Sequence, residues 1–337
     1  MAEPGGVRCV VITGASRGLG FASASHLYAQ GWRVVAAMRT PDTAMPRLRA
    51  ATGADEHDDR LIGVALDLGD RASIDAAAKA IEEAVGAPYA IVHNAGISAA
   101  GMVEESPPEL WEDMFQTHVI GPLQLTQALL PAMRSAGRGR IVMVSSQGGV
   151  RGMPAIAAYS ASKGALERWA ESMAGEIAPF GLGVTVLVAG TYDTEIITDA
   201  GTTDLRDFDG PYMPLHMKID KRGRLAMRIA RSPDRFARGL AKALDDTAPY
   251  TKHPVGPDAR MLTMSSRMLS QGGMYQMSRV AMGLPRQGAV RDGTASLTVS
   301  QRLMIAAAKT LPASVMQRVA LLVMKISPPP KAPEENQ

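Results

Sequence analysis

Short apolar runs rich in β-branched residues alternate with helical stretches through the first two-thirds of the chain, and this narrows the fold more than anything else. Residues 8–13 (RCVVIT), 32–38 (WRVVAAM), 60–68 (RLIGVALDL), 89–93 (YAIVH), 140–145 (RIVMVS) and 183–189 (GVTVLVA) are such runs. Strands apolar on both faces and separated by helices belong to a parallel sheet covered on each side. Helical patterns follow the first run and recur at 70–85, 107–135 and 157–179. Pro122, inside the third of these, is placed to kink or divide it. The expected class is α/β, with a doubly wound parallel sheet.

The pattern weakens after residue 190. Residues 191–230 read as a long loop with short helices. Residues 232–246 read as an amphipathic helix with Ser232 as cap and Pro233 in the first turn. Residues 251–256 suit a last edge strand, because Pro254 cannot donate to a central ladder. The expected organisation is a catalytic domain over 1–256, a helical extension over 257–327 and a disordered tail over 328–337. Gly272-Gly273, Gly283, Gly288, Gly293 and Pro312 are expected to break the extension into several helices.

Charge is divided unevenly. Residues 1–210 carry a net −9 and residues 211–330 a net +13, while the whole 337-residue chain is only +3. A basic second half is either a solvated face or a surface drawn to anions. Aromatics at 4% leave no interleaved rings for stacking bases, so nucleic-acid binding is not expected. The single cysteine, Cys9, cannot form an intrachain disulfide. With no signal-like start and no long apolar run, a cytoplasmic location is expected.

Three groups of residues carry chemistry. Thr13-Gly14-Ala15-Ser16-Arg17-Gly18-Leu19-Gly20 follows the first strand and opens a helix. Its glycines let the backbone turn tightly and approach a pyrophosphate at the helix N-terminus, so a dinucleotide site is expected. A carboxylate ending the second strand would bind a free ribose, but the chain has Ala37-Met38-Arg39 there. Arg17 and Arg39 instead suit a 2′-phosphate, which favours NADP (NADPH) over NAD. Asn94-Ala95-Gly96 lets a loop pass close to a flat ring, and Asp67-Leu68 suits an adenine. Tyr159 and Lys163 share a helix face, with Ser146 thirteen residues earlier. A neighbouring ammonium is expected to lower the phenol's pKa and fit Tyr159 for acid–base work.

In order and spacing, TGASRGLG, LDLGD (66–70), NAG, VSS (144–146) and YSASK resemble the short-chain dehydrogenase/reductase family over roughly residues 8–255. The resemblance implies a Rossmann-type sheet of about seven strands. It implies a homodimer or homotetramer built through the helices at 107–135 and 157–179. It implies that Tyr159 exchanges a proton with the substrate oxygen, that Lys163 holds the nicotinamide ribose, and that Ser146 orients the carbonyl. Gly190 and Thr194 match the cofactor-contacting stretch after the sixth strand. No metal is required.

Two positions depart from the family pattern. His118, in Thr117-His118-Val119-Ile120-Gly121, replaces an asparagine that helps hold a relay water. A histidine can hold such a water, shuttle the proton itself, or block the relay. Val188-Ala189-Gly190 lacks the usual proline before the glycine. The lid at 191–230 carries Ile196, Ile197, Leu205, Phe208, Tyr212, Met213, Leu215 and Met217, which suit a hydrophobic alcohol or ketone. With VGPDA at 255–259, this points toward the hydroxysteroid and retinol dehydrogenase-like branch. Residues 312–326 form an amphipathic basic pattern that suits the pocket, a subunit interface or weak peripheral membrane contact. The leading expectation is an NADP-dependent oxidoreductase acting on CH–OH groups. The alternatives are a catalytically lapsed cofactor sensor and a membrane-associated scaffold. Glu104-Glu105 reads as a solvated pair, and His93 as a packed residue.

Overall fold

Each apolar run becomes or contains a strand. The computed structural model describes residues 7–194 and 202–291. Its strands are β1 (Cys9–Thr13), β2 (Arg33–Met38), β3 (Leu61–Ala65), β4 (Ala90–His93), β5 (Ser98–Ala100), β6 (Gly139–Ser146), β7 (Leu182–Ala189), β8 (Thr202–Asp204) and β9 (Tyr250–Val255). Seven of these form one all-parallel sheet in the order β3-β2-β1-β4-β6-β7-β9. The doubly wound Rossmann-type sheet expected from the sequence is therefore present. β5 and β8 make a separate parallel pair.

The helices are α1 (Gly18–Ala29), α2 (Pro41–Thr52), α3 (Arg71–Val85), α4 (Pro108–Phe115), α5 (Gly121–Ala136), α6 (Gln147–Val150), α7 (Ala157–Ile177), α8 (Met213–Met227), α9 (Pro233–Leu244), α10 (Pro257–Met268) and α11 (Gln271–Ala281). Alternation along each strand divides the core in two. On one face Val10 and Ile12 meet Leu27 of α1, Leu48 of α2, and Phe236 and Leu240 of α9. On the other, Cys9 and Val11 join Ile74 of α3, Leu125 and Leu129 of α5, and Leu166 and Met173 of α7. Cys9 is buried there, and burial pushes its thiol up to about 12.

Two local features, α2 and the Gly272-Gly273 position, differ from expectation, and a third, the division near Pro122, takes a particular form. Helix α2 is not evident in the sequence, because Pro41 and Pro46 and a polar surface hide the Met45 and Leu48 that anchor it. The 107–135 segment is divided by a π-helical turn, Gln116–Ile120, between α4 and α5. Pro122 has no N–H to return to the His118 carbonyl, which favours the wider turn there. Gly272-Gly273 does not break the extension. Both lie in the first turn of α11, where the Ser270 hydroxyl accepts the Gly273 N–H at 3.2 Å; the interruption comes at Leu269-Ser270.

The chain divides into two compact units, the first running through Gly283. Helices α10 and α11 therefore belong to the unit that contains the sheet, although the expected boundary is at residue 256. Ala259 of α10 is fully buried in the sheet core. The basic helix expected at 312–326, the tail at 328–337, and Ile196 and Ile197 lie outside the described residues. Among the described residues no helix is long and apolar enough to cross a membrane.

Connections leave β1 toward β2 on one side and reach β4 on the other. The sheet thus has its switch point at the carboxyl ends of β1 and β4, where ligands of open α/β sheets bind. Phe236 is fully buried and meets Tyr192 edge-on, with ring centroids 5.7 Å apart. Phe236→Ala is expected to cost about 3–5 kcal/mol of stability, measured by urea unfolding.

Candidate active site

The glycine turn occupies the switch point. Gly14 has φ +69°, and a Cβ there would lie 2.8 Å from the Ala95 Cα. A Cβ on Gly20 would sit 2.2 Å from the Gly14 carbonyl oxygen, so only hydrogen allows α1 to start so close to the turn. The turn is tied to β4 by side chains. The Thr13 hydroxyl accepts the N–H groups of Asn94 and Ala95, both at 3.0 Å, and the Asn94 amide donates to the Thr13 carbonyl at 2.9 Å.

A cavity opens above this turn. Its wall includes Gly14, Ser16, Arg17, Gly18 and Leu19 from the turn, Arg39 after β2, Asp67 and Leu68 after β3, Asn94, Ala95 and Gly96 after β4, and Thr194 after β7. Thr13 and Leu66, the first residues of the TGASRGLG and LDLGD motifs, together with Met38, Ile97 and Thr117 complete it; the last three are not assigned to it from the sequence. Gly20, Gly190, Tyr159 and Lys163 are not on its wall. Arg17 and Arg39 are exposed on this wall. A cradle that no Cβ could enter, a helix N-terminus and two guanidinium groups fit a phosphorylated dinucleotide.

Beside Gly96 lies the group expected to be catalytic. Helix α7 carries Tyr159 and Lys163 one turn apart, with the Lys163 Nζ 5.8 Å from the Tyr159 ring centre. Lys163 is buried and donates to the Val144 carbonyl at 2.9 Å. Burial pulls its pKa down to about 8, against the opposing pull of the Glu167 carboxylate. Ser146 ends β6 and caps α6, and its hydroxyl also bonds to the Tyr159 phenol. The phenol's pKa is nonetheless raised, because burial outweighs the Ser146 bond. The expectation of a lowered phenol rests on the nearby cation alone and takes no account of the depth of the hydroxyl.

His118 lies on the π turn, fully covered, with its ring edge-on to Tyr159 at 5.4 Å. Its Nε2 accepts the Ile97 N–H at 3.1 Å, and its Nδ1 is 2.8 Å from the Ser162 hydroxyl. Accepting at Nε2 requires the proton on Nδ1, so the ring donates to Ser162, whose hydroxyl donates to the Tyr159 carbonyl at 2.9 Å. Burial and then the Lys163 cation hold the His118 pKa well below its usual value. Both ring nitrogens are engaged by protein groups. Ser162 stands inside the YSASK motif, but nothing local marks it as a partner for residue 118.

The lid is pinned by groups the sequence leaves unassigned. Glu104 accepts from the Tyr212 hydroxyl at 2.6 Å. Glu105 accepts the Met102 N–H at 2.6 Å and pairs at 2.8 Å with His216, which is fully buried. Glu104 is exposed, as expected of a solvated residue, whereas Glu105 is largely buried and anchors the 202–230 segment through His216. His93 is packed, with Nε2 2.8 Å from the Thr126 hydroxyl, and burial pulls its pKa down to about 3.

Several known proteins are similar to this chain. The short chain dehydrogenase profile matches residues 8–204. Over 218 residues the chain is 36% identical to the uncharacterized oxidoreductase YusZ of Bacillus subtilis (strain 168), covering 63% of this chain and 75% of that one. Over 267 residues it is 27% identical to the 3-ketodihydrosphingosine reductase of Bacteroides thetaiotaomicron, covering 79% and 94%. The crystal structure of a short-chain dehydrogenase from Streptomyces avermitilis matches 85% of this chain and 100% of its own, with a TM-score of 0.70 and 30% identity. The chain belongs to the short-chain dehydrogenase/reductase family, whose members are oxidoreductases that transfer hydride with NAD(P)(H), act on small molecules and are generally oligomeric.

Proposed function

We propose that the protein is an NADP-dependent oxidoreductase interconverting a lipophilic secondary alcohol and its ketone. The observation that carries the reading is the pairing of two features. Ser146, Tyr159 and Lys163 form one group whose ammonium lies beside Gly96, and Gly96, Arg17 and Arg39 all line the cavity over the glycine turn. Gly14, Ser16, Gly18, Leu19 and Gly20 would cradle the pyrophosphate. Asp67 and Leu68 would face the adenine, and Asn94, Ala95, Gly96, Gly190 and Thr194 would frame the nicotinamide end.

When bound, the nicotinamide supplies or accepts a hydride at C4. In reduction, the ketone carbon gains that electron pair while the Tyr159 hydroxyl gives its proton to the oxygen. The Ser146 hydroxyl donates to the same oxygen as charge develops. The phenolate left behind is stabilised by Lys163, which would also hold the ribose hydroxyls of the bound cofactor. His118 acts as a neutral bracket that sets the Tyr159 helix against the Ile97 backbone. The apolar lid residues Leu205, Phe208 and Met213 support a hydrophobic substrate, as does similarity to a reductase named for a keto lipid. The same lid and VGPDA keep the hydroxysteroid and retinol dehydrogenase-like branch as the nearest reading. A homodimer or homotetramer through α4–α5 and α7, and weak peripheral membrane contact through the basic C-terminal region, complete the proposal.

His118's two engaged nitrogens favour one rival, a cofactor sensor whose proton relay has lapsed. Fluorescence titration with NADPH and NADH, followed by turnover of a panel of lipophilic ketones, separates the two. The enzyme is expected to bind NADPH more tightly, and Arg17→Ala or Arg39→Ala is expected to remove most of that preference. Tyr159→Phe is expected to lose about 10²–10⁴-fold in turnover while still binding cofactor. A wild-type protein that binds NADPH and turns over no ketone or alcohol is a sensor.

Lys163 also makes stability depend on pH. The unfolded chain keeps the lysine proton to about 10.5, whereas the folded protein releases it near 8. Between these values the unfolded state holds the extra proton, so this group's contribution to stability rises with pH. The stability of wild type relative to Lys163→Met is expected to increase from pH 8 to pH 10, measured by urea unfolding at each pH.

A further inference from the structure

Two sequence features have no structural partner assigned so far: the VGPDA stretch at 255–259, and Gly190 without its preceding proline. They meet at one carboxylate. Asp258 lies in the first turn of α10, two residues after Gly256, whose φ of +111° turns the chain from β9 into the helix. Its Oδ2 accepts the Thr191 N–H at 2.6 Å and the Gln147 side-chain amide at 2.9 Å. Its Oδ1 lies over Gly190, where a Cβ would come within 2.1 Å of it. Gly190 is held in place by its own N–H, which donates to the Val255 carbonyl at 2.9 Å.

Each partner leads into the site. Gln147 directly follows Ser146 and begins the short helix that Ser146 caps. Thr191 begins the segment ending at Thr194, which is on the cofactor cavity wall and borders Gly18 of the glycine turn. One oxygen therefore joins the Ser146 turn, the exit from β7 and the first helix after the sheet. The bonds are charge-assisted and thus shorter and stiffer than neutral ones. Glycine at 190 is required by the space this carboxylate fills, whatever precedes it.

We propose that Asp258 is a positioning residue for hydride transfer, setting the Ser146 turn and the Thr191–Thr194 segment in one register so that α10 is part of the catalytic frame. This rests on the roles proposed for Ser146 at the carbonyl and Thr194 at the cofactor. Misplacing a reacting group by about 1 Å can cost about 10²-fold in rate.

The test compares wild type, Asp258→Ala, Asp258→Asn and Gln147→Leu as full-length proteins. NADPH affinity is read by fluorescence, kcat at saturating NADPH and ketone, and folding by thermal melting. Asp258→Ala is expected to weaken NADPH binding several-fold and lower kcat by about 10–100-fold. Gln147→Leu, which frees only the Ser146 side of the clasp, is expected to lower kcat with NADPH affinity kept. Asp258→Asn can keep an oxygen in the Oδ2 place to accept from both Thr191 and Gln147, so it is expected to recover most of both losses. Unchanged affinity and kcat in folded Asp258→Ala would overturn the inference, as would a lowered melting temperature alone. Wild type that binds NADPH but turns over nothing would overturn the functional reading only, and the affinity shift would still decide the role of Asp258. No NADPH binding by wild type would overturn both.

Discussion

The hydroxyl of Thr13 is the point on which the site hangs. It ends β1, accepts two successive backbone N–H groups at the end of β4, and donates to the Val92 carbonyl at 3.3 Å. Strand ends that diverge into separate loops leave backbone groups without ladder partners. Here one side chain satisfies them and holds the two loops together. The spacing between the glycine turn and Asn94-Ala95-Gly96 follows from it. Ile97 then presents its N–H to His118, and His118 fixes the ring edge against Tyr159. The glycine turn and the Tyr159 phenol, on different elements, thus share one reference point.

Behind the catalytic helix, charge is managed by pairing. Glu167 is almost wholly buried one turn beyond Lys163, accepts from the Ser145 hydroxyl at 2.6 Å, and pairs with Lys252 of β9. Gly149 leaves room for it, since a Cβ there would lie 2.8 Å from the carboxylate. An unpaired charge at this depth would be strongly destabilising. With Lys163 on one side and Lys252 on the other, the carboxylate offsets part of what burial takes from the catalytic ammonium. The neutral His118 belongs to the same arrangement, because a second buried cation beside Lys163 would be unfavourable.

How much of this structure is legible in the chain depends on how far each cause reaches. Buried parallel strands are apolar throughout, so their positions are written locally and the sheet is legible almost to the residue. The glycine turn and the Tyr159–Lys163 spacing are local too, and the cleft gathers most of the residues assigned to it. Helix α2 is hidden because its two anchoring residues are outnumbered by prolines and polar residues. Pro122 marks in the sequence where the 107–135 segment is divided, but not the close pass of Gly121 under the Leu68 carbonyl, to which a Cβ at 121 would come within 2.4 Å. Glu105 and His216 are 111 residues apart, and Asp258 and Gln147 are also 111 apart, so neither pair has a local signature. The phenol's raised pKa shows the same limit: adjacency is visible in a sequence, and depth is not.

The burial of Cys9 makes the molecule its own reporter. The chain's one thiol lies at the start of β1, an interior strand of the sheet, with its proton held until far above neutral pH. Thiolate chemistry is suppressed there while β1 is folded into the sheet. Alkylation therefore records an excursion in which the start of β1 has come away from its neighbours. The rate at which a reagent consumes that sulfur counts those openings, with no probe added to the protein.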